Sequence, residues 1–190
     1  KKRMMNNDQE YSDRVQIKNP LGFHVRPVQR FSELARAFAG DVEVEINDKK
    51  ADGKSVMGLM SLGAQSGSEM KIITRGPDAR QALDVLKFVV GENFFVEDLP
   101  ESSEEGDRHI ERLARFSSCF ECDIWVEVEG QKVRATDQDA LKDVGLEPTS
   151  AVQFHVEGDD GEQAEKVLGK LAEYSFYVEE AMGSGTQTKG

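Results

Sequence analysis

Apolar and acidic residues alternate in Asp41-Val-Glu-Val-Glu-Ile46, with Val42, Val44 and Ile46 on one side and Glu43 and Glu45 on the other. A period of two over six residues marks a strand buried on one face. Helical spacing takes over in Val28-Gln-Arg-Phe-Ser-Glu-Leu-Ala-Arg-Ala-Phe38, which is apolar at 28, 31, 34, 35 and 38. The remaining elements follow from the same two periods. Arg14–Lys18 reads as a strand and Pro27 to about Ala39 as a helix, with proline at its first position. Asn47-Asp48 is a turn signal, followed by a short strand near Lys50–Asp52. A short helix near Ser55–Leu62 ends at Gly63. Met70, Ile72 and Thr74 make a last strand, and Pro77–Val90 a last helix with Gly91 as its stop. The order β-α-β-β-α-β-α predicts an α+β fold: one four-stranded antiparallel sheet with helices on one face, an open-faced β-sandwich.

The pattern then repeats. A shift of 82 residues lays the chain on itself without a gap, bringing Asp41–Ile46 onto Asp123-Ile-Trp-Val-Glu-Val128. Leu59, Gly63, Met70, Ile72, Gly76, Val85 and Leu86 fall on Leu141, Gly145, Val152, Phe154, Gly158, Val167 and Leu168, and Phe94-Phe-Val-Glu97 falls on Phe176-Tyr-Val-Glu179. The second copy starts late. Its helix Arg108–Phe120 comes directly after Leu99-Pro-Glu-Ser-Ser-Glu-Glu-Gly106, which has the composition of a linker. No strand precedes that helix, so the second unit is predicted to lack its first strand. The expected organisation is a flexible tail over 1–12, a first domain over 13–98, an acidic linker over 99–106, a degenerate second domain over 107–182 and a flexible tail over 183–190.

Composition narrows the partners. With 190 residues, 38% hydrophobic and 32% charged, the chain suits one ordinary domain or two small ones. It has no apolar run of about 18 residues and no signal-peptide core, which points to a cytoplasmic address and no membrane. The net charge of −12 argues against nucleic acid and anionic lipid. The charge is uneven: residues 1–106 carry −3, residues 107–182 carry −10 and the last eight residues +1. Cys119 and Cys122 form a lone Cys-x-x-Cys without a second pair, so they read as small structural residues rather than a metal or redox site.

The candidate chemistry lies in Gly22-Phe-His-Val-Arg-Pro-Val28. His24 sits at the start of a helix, where unpaired amides and the macrodipole favour an anion. Arg26 adds a fixed cation with a phosphate-matching fork. A neutral imidazole is a competent nucleophile near physiological pH. The segment is therefore suited to carrying a phosphoryl group on His24. Ser55 is a second candidate: it precedes the apolar run Val56, Met57, Leu59, Met60 and suits the N-cap of a short helix. In the second unit, Gly106 falls where His24 would be, and His109 falls on Pro27. Trp125 and His155 occupy outward positions of two strands, opposite the predicted core residues Ile124, Val126, Val128, Val152, Phe154 and Val156.

Residues 13–98 resemble HPr, the histidine-containing phosphocarrier of the bacterial sugar phosphotransferase system. The family's Gly-Leu-His-x-Arg-Pro loop reads here as Gly22-Phe23-His24-Val25-Arg26-Pro27. Its Lys-Ser-Ile-Met-Gly-x-Met-Ser-Leu-Gly run reads as Lys54-Ser55-Val56-Met57-Gly58-Leu59-Met60-Ser61-Leu62-Gly63. The resemblance implies the same open-faced sandwich in tandem, with a degenerate second repeat. It also implies a phosphocarrier, rather than a stand-alone enzyme, taking a phosphoryl group on His24 from an enzyme I-like donor and passing it to an enzyme IIA-like acceptor. His24 and Arg26 would be the catalytic pair, with no cofactor and no metal. Val25, Gln29, Val56, Met57 and Met60 would form the docking face. Ser55 would be the regulatory site of an HPr kinase/phosphorylase. Val28 and Gln29 stand where the family has two small residues, and Gln29 would protrude into the partner footprint. The alternative is a regulatory binding module whose His24 or Ser55 phosphorylation is read by partners without a role in sugar transport. A homodimer through the second domain is a further expectation, because its last strand would lack an edge partner.

Overall fold

Four antiparallel strands carry the first unit: β1 (Glu10–Gln16), β2 (Asp41–Ile46), β3 (Lys49–Asp52) and β4 (Glu69–Arg75), in the spatial order β1-β4-β2-β3. The computed structural model describes residues 9–95, 107–147 and 150–173, with side chains for all of these but 95 and 171–173. The chain divides into two units, Lys1–Ser102 and Ser103–Gly190.

In β2 the predicted alternation holds. Val42, Val44 and Ile46 are buried, while Glu43 and Glu45 face outward and pair with Lys50, at 2.9 and 3.8 Å. The β2–β3 turn is made by Asn47 and Asp48, both with positive φ, as a two-residue hairpin connection requires. Helices α1 (Val25–Arg36), α2 (Val56–Ser61) and α3 (Ala79–Gly91) cover the apolar face. The buried core takes Val28, Phe31, Leu34 and Ala35 from α1, Ala82, Val85, Leu86 and Val89 from α3, and Met70 and Ile72 from β4. Each Val, Leu, Ile, Met or Phe among them contributes about 1.5–3 kcal/mol when fully buried. The charged outer face carries ion pairs such as Arg75–Glu10 at 2.6 Å and Arg14–Glu69, which at this exposure add little.

The second unit contains α4 (Arg108–Ser117), β5 (Asp123–Val128), β6 (Gln131–Arg134), α5 (Gln138–Asp143), β7 (Val152–Glu157) and α6 (Gly161–Glu173), with sheet order β6-β5-β7. Its internal bonds recur at the 82-residue shift. Ala39 N–H donates to Asp78 Oδ2 at 2.6 Å, and Glu121 N–H to Asp160 Oδ2 at 2.8 Å. Gly53 N–H reaches Val42 O, and Ala135 N–H reaches Ile124 O. Gln65 N–H bonds Ser68 Oγ at 3.0 Å, and Glu147 N–H bonds Ser150 Oγ at 2.9 Å. The register of β2 with β3, Glu43 opposite Asp52, reappears as Trp125 opposite Arg134.

Several expectations shift. Strand β1 begins at Glu10, four residues before Arg14 and inside the stretch read as a tail, because it pairs along the whole of β4 from Arg75 to Glu69. Helix α1 begins at Val25, so Pro27 occupies its third position rather than its first. The helix tolerates this because the first i→i−4 bond runs from Val28 N–H to His24 O, at 3.0 Å, leaving Pro27 with no donor to supply. Phe154 and Val156 are half-buried rather than core. Their counterparts Ile72 and Thr74 are buried where β1 lies against β4, and β7 has only β5 beside it among the described residues. The linker over 99–106, the Phe176–Glu179 match and the tail over 183–190 lie outside the described residues.

Candidate functional site

His24 is the N-cap of α1, in extended conformation at φ −84° and ψ −176°. Its carbonyl caps the helix while its imidazole makes no capping bond, so the ring is not spent on holding the helix together. Nε2 is shielded from solvent and has no hydrogen-bond partner among the described residues. The ring as a whole is half-buried. The first-turn amides of α1 lie outside the i→i−4 ladder and, with the dipole, make this end of the helix favourable for an anion. Arg26, at the second helical position, is exposed and places a guanidinium on the same turn.

The loop before His24 is held from below. Asn19 Oδ1 accepts from Leu21 N–H at 2.9 Å, Asn19 O accepts from Gly22 N–H, and Phe23 N–H donates to Ala64 O at 3.0 Å. Gly22 has φ +71°, and a Cβ there would meet Ala64 O at 2.5 Å, so the position admits only glycine. This explains physically why the motif opens on glycine: the loop passes directly over the chain that follows α2.

Ser55 is the N-cap of α2, its Oγ accepting from Gly58 N–H at 3.1 Å. In the second unit Asp137 caps α5 in the same way, accepting from Ala140 N–H at 3.0 Å. Helix α2 runs back alongside α1. Lys54 O, just before Ser55, accepts from Ser32 Oγ and Arg36 Nε at 2.9 Å each, whereas Ala64, beyond the far end of α2, is bonded to Phe23. The two signatures thus share one surface, with Ser55 near the end of α2 remote from His24.

Apolar groups are exposed across that surface. Val25 is 52% exposed, Met57 80% and Met60 37%, while Gln29 is exposed and Val56 half-buried. Leu59, in the same run, is fully buried. Leu21, at 69% exposure, was not read from the sequence as part of this face. The signal was available: Pro20-Leu21-Gly22 is a turn, and a leucine at a turn tip cannot reach the core. Phe94 was also missed as a support of the site. It is buried against Phe23, with ring centroids 5.3 Å apart.

The other candidates are held in structural roles. His109 Nε2 bonds Leu146 O at 2.8 Å, joining α4 to the turn after α5. Trp125 and His155 are direct cross-strand neighbours. Lys132 Nζ and Arg134 Cζ both lie over the indole, 5.3 and 5.1 Å from its centroid, and His155 Nε2 bonds Glu127 Oε2 at 2.8 Å. Burial, reinforced by the Asp160 carboxylate, pushes the Cys122 thiol up to about 12, the opposite of what a reactive thiolate needs. Among the described residues there is no cluster of three or more His, Cys, Asp or Glu positioned for a metal, and no helix long and apolar enough to cross a membrane.

Residues 11–91 match the family model described as the PTS HPr component phosphorylation site. The HPr-like protein Crh of Bacillus subtilis is 38% identical over 79 residues, covering 42% of this chain and 93% of that protein. The phosphocarrier protein HPr of Cupriavidus necator is 37% identical over 78 residues, covering 41% of this chain and 88% of its own. Among solved structures, HPr from Thermoanaerobacter tengcongensis aligns at TM-score 0.44 and 34% identity, over 46% of this chain and 98% of that one.

Proposed function

This chain belongs to the HPr family of phosphotransferase-system phosphocarriers, and from that membership we propose that His24 is its phosphoryl acceptor. The observation that carries the reading is the state of the imidazole: it caps no helix, its Nε2 is shielded, and it stands at the open end of α1. In the transfer step the lone pair of neutral Nδ1 attacks phosphorus. The bond to the donor's leaving atom breaks as the P–Nδ1 bond forms, and the ring keeps its proton on Nε2. Helix-end amides and the Arg26 guanidinium stabilise the phosphoryl charge in both directions of transfer. An enzyme I-like protein is the proposed donor and an enzyme IIA-like protein the acceptor, both docking on Leu21, Val25, Met57 and Met60. Exposed methionines suit a face that must fit more than one partner.

A second reading concerns the rest of the chain. The recurrence of hydrogen bonds at the 82-residue shift supports a second unit that is a copy of the first, kept for its frame and not for its chemistry. Asp137 stands where Ser55 does and places a permanent negative charge at that cap. With the acidic balance of residues 107–182, this favours a scaffolding or regulatory role for the second unit.

Incubation with enzyme I and labelled phosphoenolpyruvate tests the main reading. His24 takes up acid-labile phosphate, His24→Ala abolishes the label, and His109 and His155 stay unlabelled. Arg26→Ala slows the transfer and leaves the fold intact, since the side chain is exposed. Label persisting in His24→Ala overturns the assignment.

A further inference from the structure

Beyond the His24 loop, the segment that leaves the first unit is built into the site. Helix α3 ends at Gly91, and a single 3-10 turn, Asn93–Phe95, follows it. Both Asn93 and Phe94 have positive φ, at 55° and 57°. Asparagine tolerates that region, but a phenylalanine there is strained and must be held by its surroundings. Two contacts hold it. Phe94 is fully buried, its ring stacked on Phe23 at 5.3 Å and 25°, and its carbonyl accepts from Arg30 Nη1 at 2.9 Å. Phe23 is in turn pinned edge-on by Phe31, at 5.9 Å and 90°.

These contacts close a circuit. Phe23 immediately precedes His24; Arg30 and Phe31 lie on the helix that His24 caps; Phe94 touches both sides. The backbone of His24 is thereby fixed by a ring stack below it and by α1 beside it. Its side chain has no hydrogen bond of its own at Nε2 to set the ring direction. The orientation of the imidazole consequently depends on the packing under Phe23. Strain in the Asn93–Phe94 turn is the kind of local cost that persists where it positions something.

We propose that Phe94, through its stack on Phe23, is a positioning residue for His24, holding the imidazole in the orientation that presents Nδ1 to a phosphoryl donor. The proposal rests on His24 being the acceptor. It assigns to the turn that follows α3 a part in the chemistry.

The test uses the full chain with four variants: Phe94→Ala, Phe94→Leu, Phe94→Gly and, as a core-truncation control in β4, Ile72→Ala. The first readout is the rate of His24 phosphorylation by enzyme I and labelled phosphoenolpyruvate. The second is the His24 imidazole signal in ¹H–¹⁵N spectra of the unphosphorylated protein. Phe94→Ala slows phosphorylation at least tenfold and shifts and broadens the His24 signal, while His109 and His155 signals stay in place. Phe94→Leu, which refills the space, restores most of the rate. Phe94→Gly relieves the backbone strain but leaves the rate low, because the ring is what holds Phe23. Ile72→Ala lowers stability yet leaves rate and His24 signal near those of the parent protein. A parental rate in Phe94→Ala, or recovery in Phe94→Gly, overturns the proposal. An unmoved His24 signal in folded Phe94→Ala overturns it as well. If the parent protein takes no label at all, the acceptor reading fails separately, and the His24 signal still decides whether Phe94 orients the ring.

Discussion

Changing Ser55 to aspartate separates a helix cap from a regulatory charge. Ser55→Ala removes the bond from Gly58 N–H and costs about 1 kcal/mol, the usual loss for an N-cap. In a unit of this size that lowers the melting temperature by about 4–8 °C. Ser55→Asp keeps the cap, because Asp137 makes the same bond in the second unit at 3.0 Å, so its stability stays close to that of the parent. The effect on phosphorylation has two candidate sources. Direct repulsion is weak: α2 spans Val56–Ser61, roughly 9 Å at 1.5 Å per residue. One unit charge facing a phosphoryl charge of −2 at about 10 Å in water is worth about 0.8 kcal/mol before salt screening. Docking is the larger source. A carboxylate drawn under a partner beside Val56 and Met57 loses water without gaining an opposite charge, at about 2 kcal/mol, or about a 30-fold slower transfer. Steady-state phosphorylation of Ser55→Ala and Ser55→Asp at low and high salt distinguishes the two. The docking account expects the aspartate defect to persist at high salt and the alanine variant to transfer normally once folded. A parental rate in Ser55→Asp, or a defect that salt removes, refutes it.

Asp78 accepts from the amides of both Ala39 and Gly40, at 2.6 and 2.9 Å; Asp78→Ala should cost about 1–2 kcal/mol in thermal unfolding, and an unchanged midpoint would remove this clamp from the account. Gly22→Ala places a Cβ against Ala64 O at positive φ, so it should destabilise the first unit by about 1–2 kcal/mol or more and slow His24 labelling; normal labelling would show that the loop tolerates the side chain. The Cys122 thiol, pushed up to about 12 from an ordinary 9.0, binds its proton more tightly in the folded protein. Its contribution to stability is complete below pH 9 and declines as pH rises toward 12. Alkylation at pH 9 should therefore spare Cys122 in the native chain and modify it after unfolding; rapid native modification would contradict the burial argument.

Much of this molecule was determined by local pattern alone. The two-residue period of Val42, Val44 and Ile46 and the helical spacing of α1 depend on neighbours in sequence, so the α+β class and the 82-residue recurrence are readable without coordinates. Ser55 as a cap and His24 at a helix start are likewise local facts, because capping involves residues three or four positions apart. Tertiary structure decided what distant segments do to one another. Pairing with β4 pulled the start of β1 back to Glu10. The lack of such a partner beside β7 among the described residues left Phe154 and Val156 half-buried, although their alternation reads as core. The orientation of α2 against α1 put Ser55 at the end remote from His24, which no spacing along the chain reveals. Phe94 lies seventy residues from His24 in the sequence, and only the positive-φ turn at Asn93–Phe94 after α3 brings its ring onto Phe23. Periodicity records which side of an element is buried; it carries no information about which buried group meets which, because that is settled by packing among residues far apart in the chain.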